Sequence, residues 1–378
     1  MTRYLPSRLQ QRASSAVVVL ALLVLGCSTG DNAAVPVGET PEHLSDWHLL
    51  VVDGKTLRPR DDALPYDLNT PLFTDYAHKL RTVWMPRGVS AVYNTGNVLE
   101  LPVGTVLTKT FYYPGNKNGE LDSVGSGHEF DKGRLDLSAV RLIETRVLVH
   151  RENGWEALPY VWNESQQDAR LARAGDIQSL TLRVGDTDRK FPYVVPTSNE
   201  CAGCHASNHT TGAIQPIGPK ARNLNKSFQS YANGPAPQLE TWSLHGYLTG
   251  LPTSGVPRAA LWGDTSDSLA HRARTYLDVN CAHCHNPVGA ADTSGLFLDI
   301  AEPAARHLGL CKPPIASGRG SGGRSVSIMP GHPEESILTF RIESEDPAVK
   351  MPEMGRSLVH REGARLIEAW IRSLDGHC

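Results

Sequence analysis

The sequence predicts an all-β, sandwich-like N-terminal domain followed by mainly α-helical domains. Three observations predict it. From about Trp47 to Pro196, short runs rich in β-branched and aromatic residues recur between turn signals. Beyond Pro196, apolar residues recur at helical spacing over 268–280 and 362–374. Glycine and proline, 34 and 26 of 378 residues, supply many turns.

The elements follow in chain order. Arg3, Arg8 and Arg12 precede the apolar run "AVVVLALLVL", residues 16–25. A positive segment before a run too short to span a bilayer reads as a secretory signal over 1–26. The run ends in "VLGC", which resembles a bacterial lipobox and makes Cys27 the expected lipidation site. Residues 27–46 then form a lipid anchor and tether. Export places the chain at the periplasmic face of a bacterial membrane, or free in the periplasm if Cys27 carries no lipid. The β-rich domain spans 47–196, with strands expected at 104–113, 141–150, 154–162, 179–184 and 190–195. One short helix is expected at "SQQDARLAR", 165–173. His78, His128 and His150 lack metal-ligand spacing. Asp75, Glu144 and Arg146 stand near aromatics with nothing to link them, and Trp84, Trp155 and Trp162 read as core.

Chemistry enters with "NECAGCHASNHTTG", residues 199–212. Cys201, Cys204 and His205 have the spacing of covalent c-type haem attachment: two thiols for the porphyrin edge, one imidazole for the iron. The pattern returns as "CAHCH", with Cys281, Cys284 and His285, 80 residues on. A single such motif could be a zinc half-site or a redox dithiol. Two of them in an exported chain, each with the trailing histidine, point to two covalently bound haem c groups. The first haem-binding region is expected over 197–267 and a second, cytochrome c-like domain over 268–378. There "SLAHRARTYLDVN" delivers Cys281 and Cys284 at a helix end. The segment "EGARLIEAWIRSL" resembles the C-terminal helix of class I cytochromes c, and "KMPEMGRSL" resembles their methionine loop. Met351, followed by Pro352, is thus the expected second ligand opposite His285, with Met354 and Met329 as rivals. No methionine lies between His205 and Cys281. His245, in "LETWSLHGYL", is the expected local imidazole for the first iron; a ligand from the β-rich half and an open position are the alternatives.

There are seven cysteines. With Cys27 and the two haem pairs set aside, Cys311 and Cys378 remain as an expected disulfide in an oxidising compartment. A formal charge of −3 and a pI near 6.6 give no basic surface for nucleic acid.

Several stretches together resemble a family of bacterial two-haem c-type cytochromes, often encoded beside a parallel β-helix protein. They are "YDLNTPLFTDYAHKLR" (66–81), "PVGTVLTKTFYYP" (102–114), "GWEALPYVWNESQQDA" (154–169), "ARTYLDVNCAHCH" (273–285) and "MPEMGRSLVHREGARLIEAWI" (351–371). The resemblance implies haem and electron transfer, with redox proteins, including such a β-helix protein, as expected partners. Two functions follow. The first is single-electron transfer between periplasmic partners by a lipid-anchored dihaem cytochrome. The second is a peroxidase- or oxygenase-like haem enzyme using an open position on the first haem.

Overall fold

The computed structural model describes residues 1–2, 33–115, 119–315 and 317–378. The signal segment and Cys27 lie outside the described residues.

The fold is built on an antiparallel six-stranded sheet. Its strands are β1 (Leu64–Tyr66), β2 (His78–Trp84), β3 (Val106–Pro114), β4 (Val140–Arg151), β5 (Gly154–Trp162) and β6 (Ala169–Leu171). The spatial order is β6-β5-β4-β3-β2-β1. Alternation along β3 assigns its faces. Val106 and Tyr112 join a core with Trp47, Leu57, Leu135, Val147 and Leu158. On that side a thread of threonines is satisfied within the sheet: Thr82 Oγ1 to Thr108 Oγ1 at 2.6 Å, and Thr110 Oγ1 to Thr145 Oγ1 at 2.8 Å. Leu107, Phe111 and Tyr113 point the other way. Phe111 and Tyr113 pack with Leu180, Leu182, Phe191 and Tyr193 of the hairpin β7 (Asp176–Val184) and β8 (Thr187–Val195). Each fully buried side chain of this size contributes roughly 1.5–3 kcal/mol.

The six helices among the described residues are α1 (Cys201–His205), α2 (Ala221–Leu224), α3 (Gln238–Leu244), α4 (Leu269–Asn280), α5 (Ile337–Glu343) and α6 (Arg361–Arg372). Only four of them reach seven residues, and the described residues are 27% strand against 18% helix. This overturns the expectation of mainly α cytochrome c-type haem domains after the β-rich half. The reason lies in the sequence between the motifs. Gly246, Gly250, Pro252, Gly255 and Pro257 break any helical run before α4, and three of these glycines adopt positive φ. The chain there makes turns and bridges instead.

Residues 165–173 also depart from expectation. Gln166 takes φ +58° in a turn, and 169–171 is edge strand β6. The Asn163 side chain accepts the Gln167 N–H, and its carbonyl accepts the Gln166 N–H, which is turn chemistry.

The halves of the chain interlock. Leu64, Val83 and Leu107 share a core with Leu224, Leu239, Trp242 and Leu248, so packing runs across position 196. Leu248 and Thr249 pair in parallel with Ala91 and Val92. Asp75 accepts the backbone N–H groups of Ser357 and Leu358 at 2.7 and 2.6 Å. Helices α4 and α6 pack through Ala273, Tyr276, Leu277, Leu366, Ile367, Trp370 and Ile371. Gly363 permits their approach, since a Cβ there would meet the Tyr276 hydroxyl at 2.3 Å. No helix among the described residues is long and apolar enough to cross a membrane. Cys311 and Cys378 form a disulfide bond.

Candidate functional site

The first motif begins a helical turn with a reciprocal cap. Thr197 Oγ1 accepts the Glu200 N–H at 3.1 Å, and Glu200 Oε2 accepts the Thr197 N–H at 2.8 Å. This fixes the turn that carries Cys201, Cys204 and His205. The His205 Nδ1–H donates to the Gln215 carbonyl at 2.8 Å. A carbonyl only accepts, so Nε2 keeps its lone pair. Burial pulls the His205 pKa down to about 4, which holds the ring neutral.

The second motif follows the C-terminal end of α4. Ser294 Oγ spends its proton on the Ala291 carbonyl at 2.6 Å. It therefore accepts from His285 Nδ1 at 3.2 Å and again leaves Nε2 its lone pair. His285 is also pulled down to about 4 by burial. Burial pushes the Cys281 and Cys284 thiols up to about 12 and about 11.

The two motifs touch. The Cys284 thiol donates to the Gly203 carbonyl at 3.4 Å, Asn286 Nδ2 donates to the Ser207 carbonyl at 3.3 Å, and the His209 N–H donates to the Val288 carbonyl at 2.8 Å. Between them and the sheet lies a cavity of about 840 Å³, near the upper end of the range for cofactor and ligand sites, about 300–1,000 Å³. Cys201, Cys204, His205 and Cys281 line it, as do Met351 and Met354. Cys284 and His285 stand behind this wall and are not part of the lining.

The methionine loop is organised by buried Arg356. Its guanidinium donates to the carbonyls of Met351 at 2.8 Å, Ile342 at 3.1 Å, Ser344 at 3.0 Å and Leu358 at 3.2 Å. The Met351 N–H donates to the Arg341 carbonyl at 2.9 Å. Met354 presses its methyl against the first motif, where a Cβ on Gly203 would meet Cε at 2.2 Å. Met329 lies elsewhere, its N–H bonded to Ser336 Oγ at 2.9 Å.

His245 is not brought to either motif. It is exposed, it caps the end of α3, and it is absent from the cavity lining. Gly246 turns the chain there as expected, at φ +74°, but toward the surface. His283, the residue between the second cysteine pair, lines the cavity instead, with a buried Nδ1 that has no hydrogen-bond partner. His205 is among its electrostatic neighbours. Sequence reasoning passed over it because it sits inside a motif whose spacer positions carry no assigned role.

Sequence reasoning also missed the sheet's contribution. Asp75, Arg81, Lys109 and Arg146 all line the cavity. The signal was present as period-2 alternation, which puts Lys109 on the same face as Leu107 and Phe111. His332, Glu334 and Glu335 bring ligand atoms within 4.8 Å of one another, but all three are exposed.

The arrangement fits covalent haem. In each motif paired thiols stand beside a neutral imidazole whose Nδ1 is engaged, and of these groups Cys201, Cys204, His205 and Cys281 open onto the cavity. The chain matches no family model, no curated protein and no solved structure.

Proposed function

We propose that the chain is an exported dihaem c-type cytochrome that passes single electrons between periplasmic redox proteins. The observation that carries the reading is the convergence of two Cys-x-x-Cys-His segments into direct contact beside one cavity, each histidine with Nδ1 engaged. Haem iron, when bound, supplies one-electron redox chemistry. Cys201, Cys204, Cys281 and Cys284 are the attachment thiols. His205 and His285 present Nε2, and the acceptors on Nδ1 fix their orientation. Met351 offers its thioether from a loop that Arg356 holds in place. His283, whose buried Nδ1 has no hydrogen-bond partner, would take the place of His245 as the further imidazole available to a haem held by the first motif. The β-rich half supplies one wall of the cavity, through Arg81, Lys109 and Arg146.

The test is chemical first. Protein produced with cytochrome c maturation and then denatured should retain two haems by pyridine haemochrome; a single haem, or haem that solvent extracts, overturns the reading. Met351→Ala should then abolish the far-red iron–sulfur band and lower one midpoint potential, while Met354→Ala leaves both in place. The reverse result assigns the ligand to Met354.

A further inference from the structure

Register places three cations side by side. Arg81 on β2 pairs with Lys109 on β3, and Arg146 on β4 pairs with the same Lys109. All three line the cavity. Like charges directly opposite on neighbouring strands are destabilising. The next row on the same face, Val83, Leu107 and Leu148, is apolar, so this face accepts apolar side chains beside the charged row.

The protein's own acids answer only the ends of the row. Asp67 Oδ1 accepts from Arg81 Nη1 at 2.9 Å, and Glu144 holds Arg146 through bonds of 2.6 and 2.8 Å. The central Lys109 has no carboxylate within 4.0 Å among the described residues. Its ammonium stands 4.8 Å from the Phe111 ring centroid, with the Arg146 guanidinium over the same ring at 4.5 Å. Arg81 is only 4% exposed, yet its Nη2 makes no hydrogen bond. A buried guanidinium nitrogen without an acceptor, beside a lysine whose proton is loosened by burial and by Arg81, Arg146 and Lys79 with no carboxylate in contact to hold it, is an incomplete site.

We propose that Arg81, Lys109 and Arg146 form a binding site for a carboxylate-class anion, seated in the cavity against the first Cys-x-x-Cys-His segment. The three donors span two strand spacings, roughly 10 Å, which is room for two carboxylates or one extended anion. Two sources carry this chemistry. One is the pair of propionates of a porphyrin held by Cys201 and Cys204, which rests on the reading above. The other is a small free carboxylate that enters from solvent. In both, the anion accepts from Lys109, lies beside the Arg81 and Arg146 guanidinium groups, and removes the repulsion along the row.

The experiment uses the full chain as produced with its haems, together with Lys109→Met and Lys109→Arg. Both variants are first shown to keep the wild-type haem count in denatured protein. If propionates occupy the row, Lys109→Met shifts the propionate vibrations in resonance Raman spectra and lowers one midpoint potential, and Lys109→Arg restores both. If a free anion occupies it, acetate titrated at constant ionic strength saturably raises the wild-type melting temperature. Lys109→Met then weakens that response about tenfold, the equivalent of one charge-assisted contact. The proposal is overturned if Lys109→Met leaves vibrations, potentials and acetate response unchanged, which is the behaviour of a row that serves packing alone. A wild-type chain without covalent haem would defeat the cofactor reading, and the acetate titration would then decide the row by itself.

Discussion

His360 sits in an aromatic cage. Phe73 stacks on it at 4.3 Å and 8°, and Trp262, Tyr76 and Tyr276 close the sides at 4.9, 5.8 and 5.5 Å. Its Nδ1 shares a hydrogen bond of 3.0 Å with the Tyr276 hydroxyl, while Glu362 approaches Nε2 only to 3.8 Å. Burial wins over that carboxylate and pulls the ring's pKa from 6.5 down to about 4, with Lys79 and Arg365 adding in the same direction. The imidazole therefore contributes its full stability above pH 6.5 and loses it as pH falls toward 4, by on the order of 3 kcal/mol. Asp75 acts in the opposite sense. Burial lifts its carboxyl from 3.8 to about 6, so folding gains from it as pH falls through that interval. His360→Phe should flatten the loss of stability between pH 6.5 and 4, read from urea unfolding at fixed pH. An unchanged slope would mean that the ring is not the titrating group. None of this could be read from "LVHRE", because the cage arrives from three distant segments of the chain.

At the scale of elements, α4 is tied to α2 by a buried ion pair. Arg222 Nη2 donates to both Asp278 oxygens at 3.0 Å, and Lys220 Nζ lies 3.8 Å from the same carboxylate. Asp278→Asn leaves buried Arg222 and half-buried Lys220 facing a neutral amide, with Asp299 at 3.5 Å as the remaining carboxylate on Arg222, and should cost about 3 kcal/mol. Thermal unfolding of the full chain measures it, and a loss below about 1 kcal/mol would show that the pair only orders the surface. The helices themselves were legible, since α4 and α6 carry apolar residues at helical spacing and α4 is capped by Ser268 accepting from the His271 N–H. The hairpin strands were legible for the same kind of reason, through period-2 alternation. The stretch 165–173 was not. Its charges and alanine favour a helix locally, and the pairing of 169–171 with β5 overrides that preference. The mainly helical reading of the second half failed more broadly. Two amphipathic helices do not outweigh the glycine- and proline-rich chain around them.

Across the whole molecule, counting cysteines identified the pair that the fold joins, whereas the cavity was hidden from the sequence. Its cationic wall draws on residues 81, 109 and 146, which only strand register makes neighbours. The disulfide closes a loop of 67 residues around α5 and α6. Chain entropy makes such a closure worth about 4 kcal/mol. Cys311→Ser should lower stability toward that figure in denaturant titrations under oxidising conditions, and wild-type protein under reductant should behave like the variant. No difference between oxidised and reduced wild type would remove the bridge from the stability account.

The interlocking of the two halves also sets a timetable. Asp75 meets Leu358 across 283 residues, and Ser90 meets Gly246 across 156. Chains whose decisive contacts lie this far apart close late, because the entropy of joining the ends must be overcome before those contacts form. Until then the thiols of Cys201 and Cys281 remain reachable; afterwards Cys201 is buried and Cys281 is half-buried against the α4–α6 core. Slow closure therefore leaves a window in which chemistry at those sulfurs can finish before the fold shuts over them. Alkylation of Cys201 and Cys281, sampled through refolding of the chain produced without haem, would time that window.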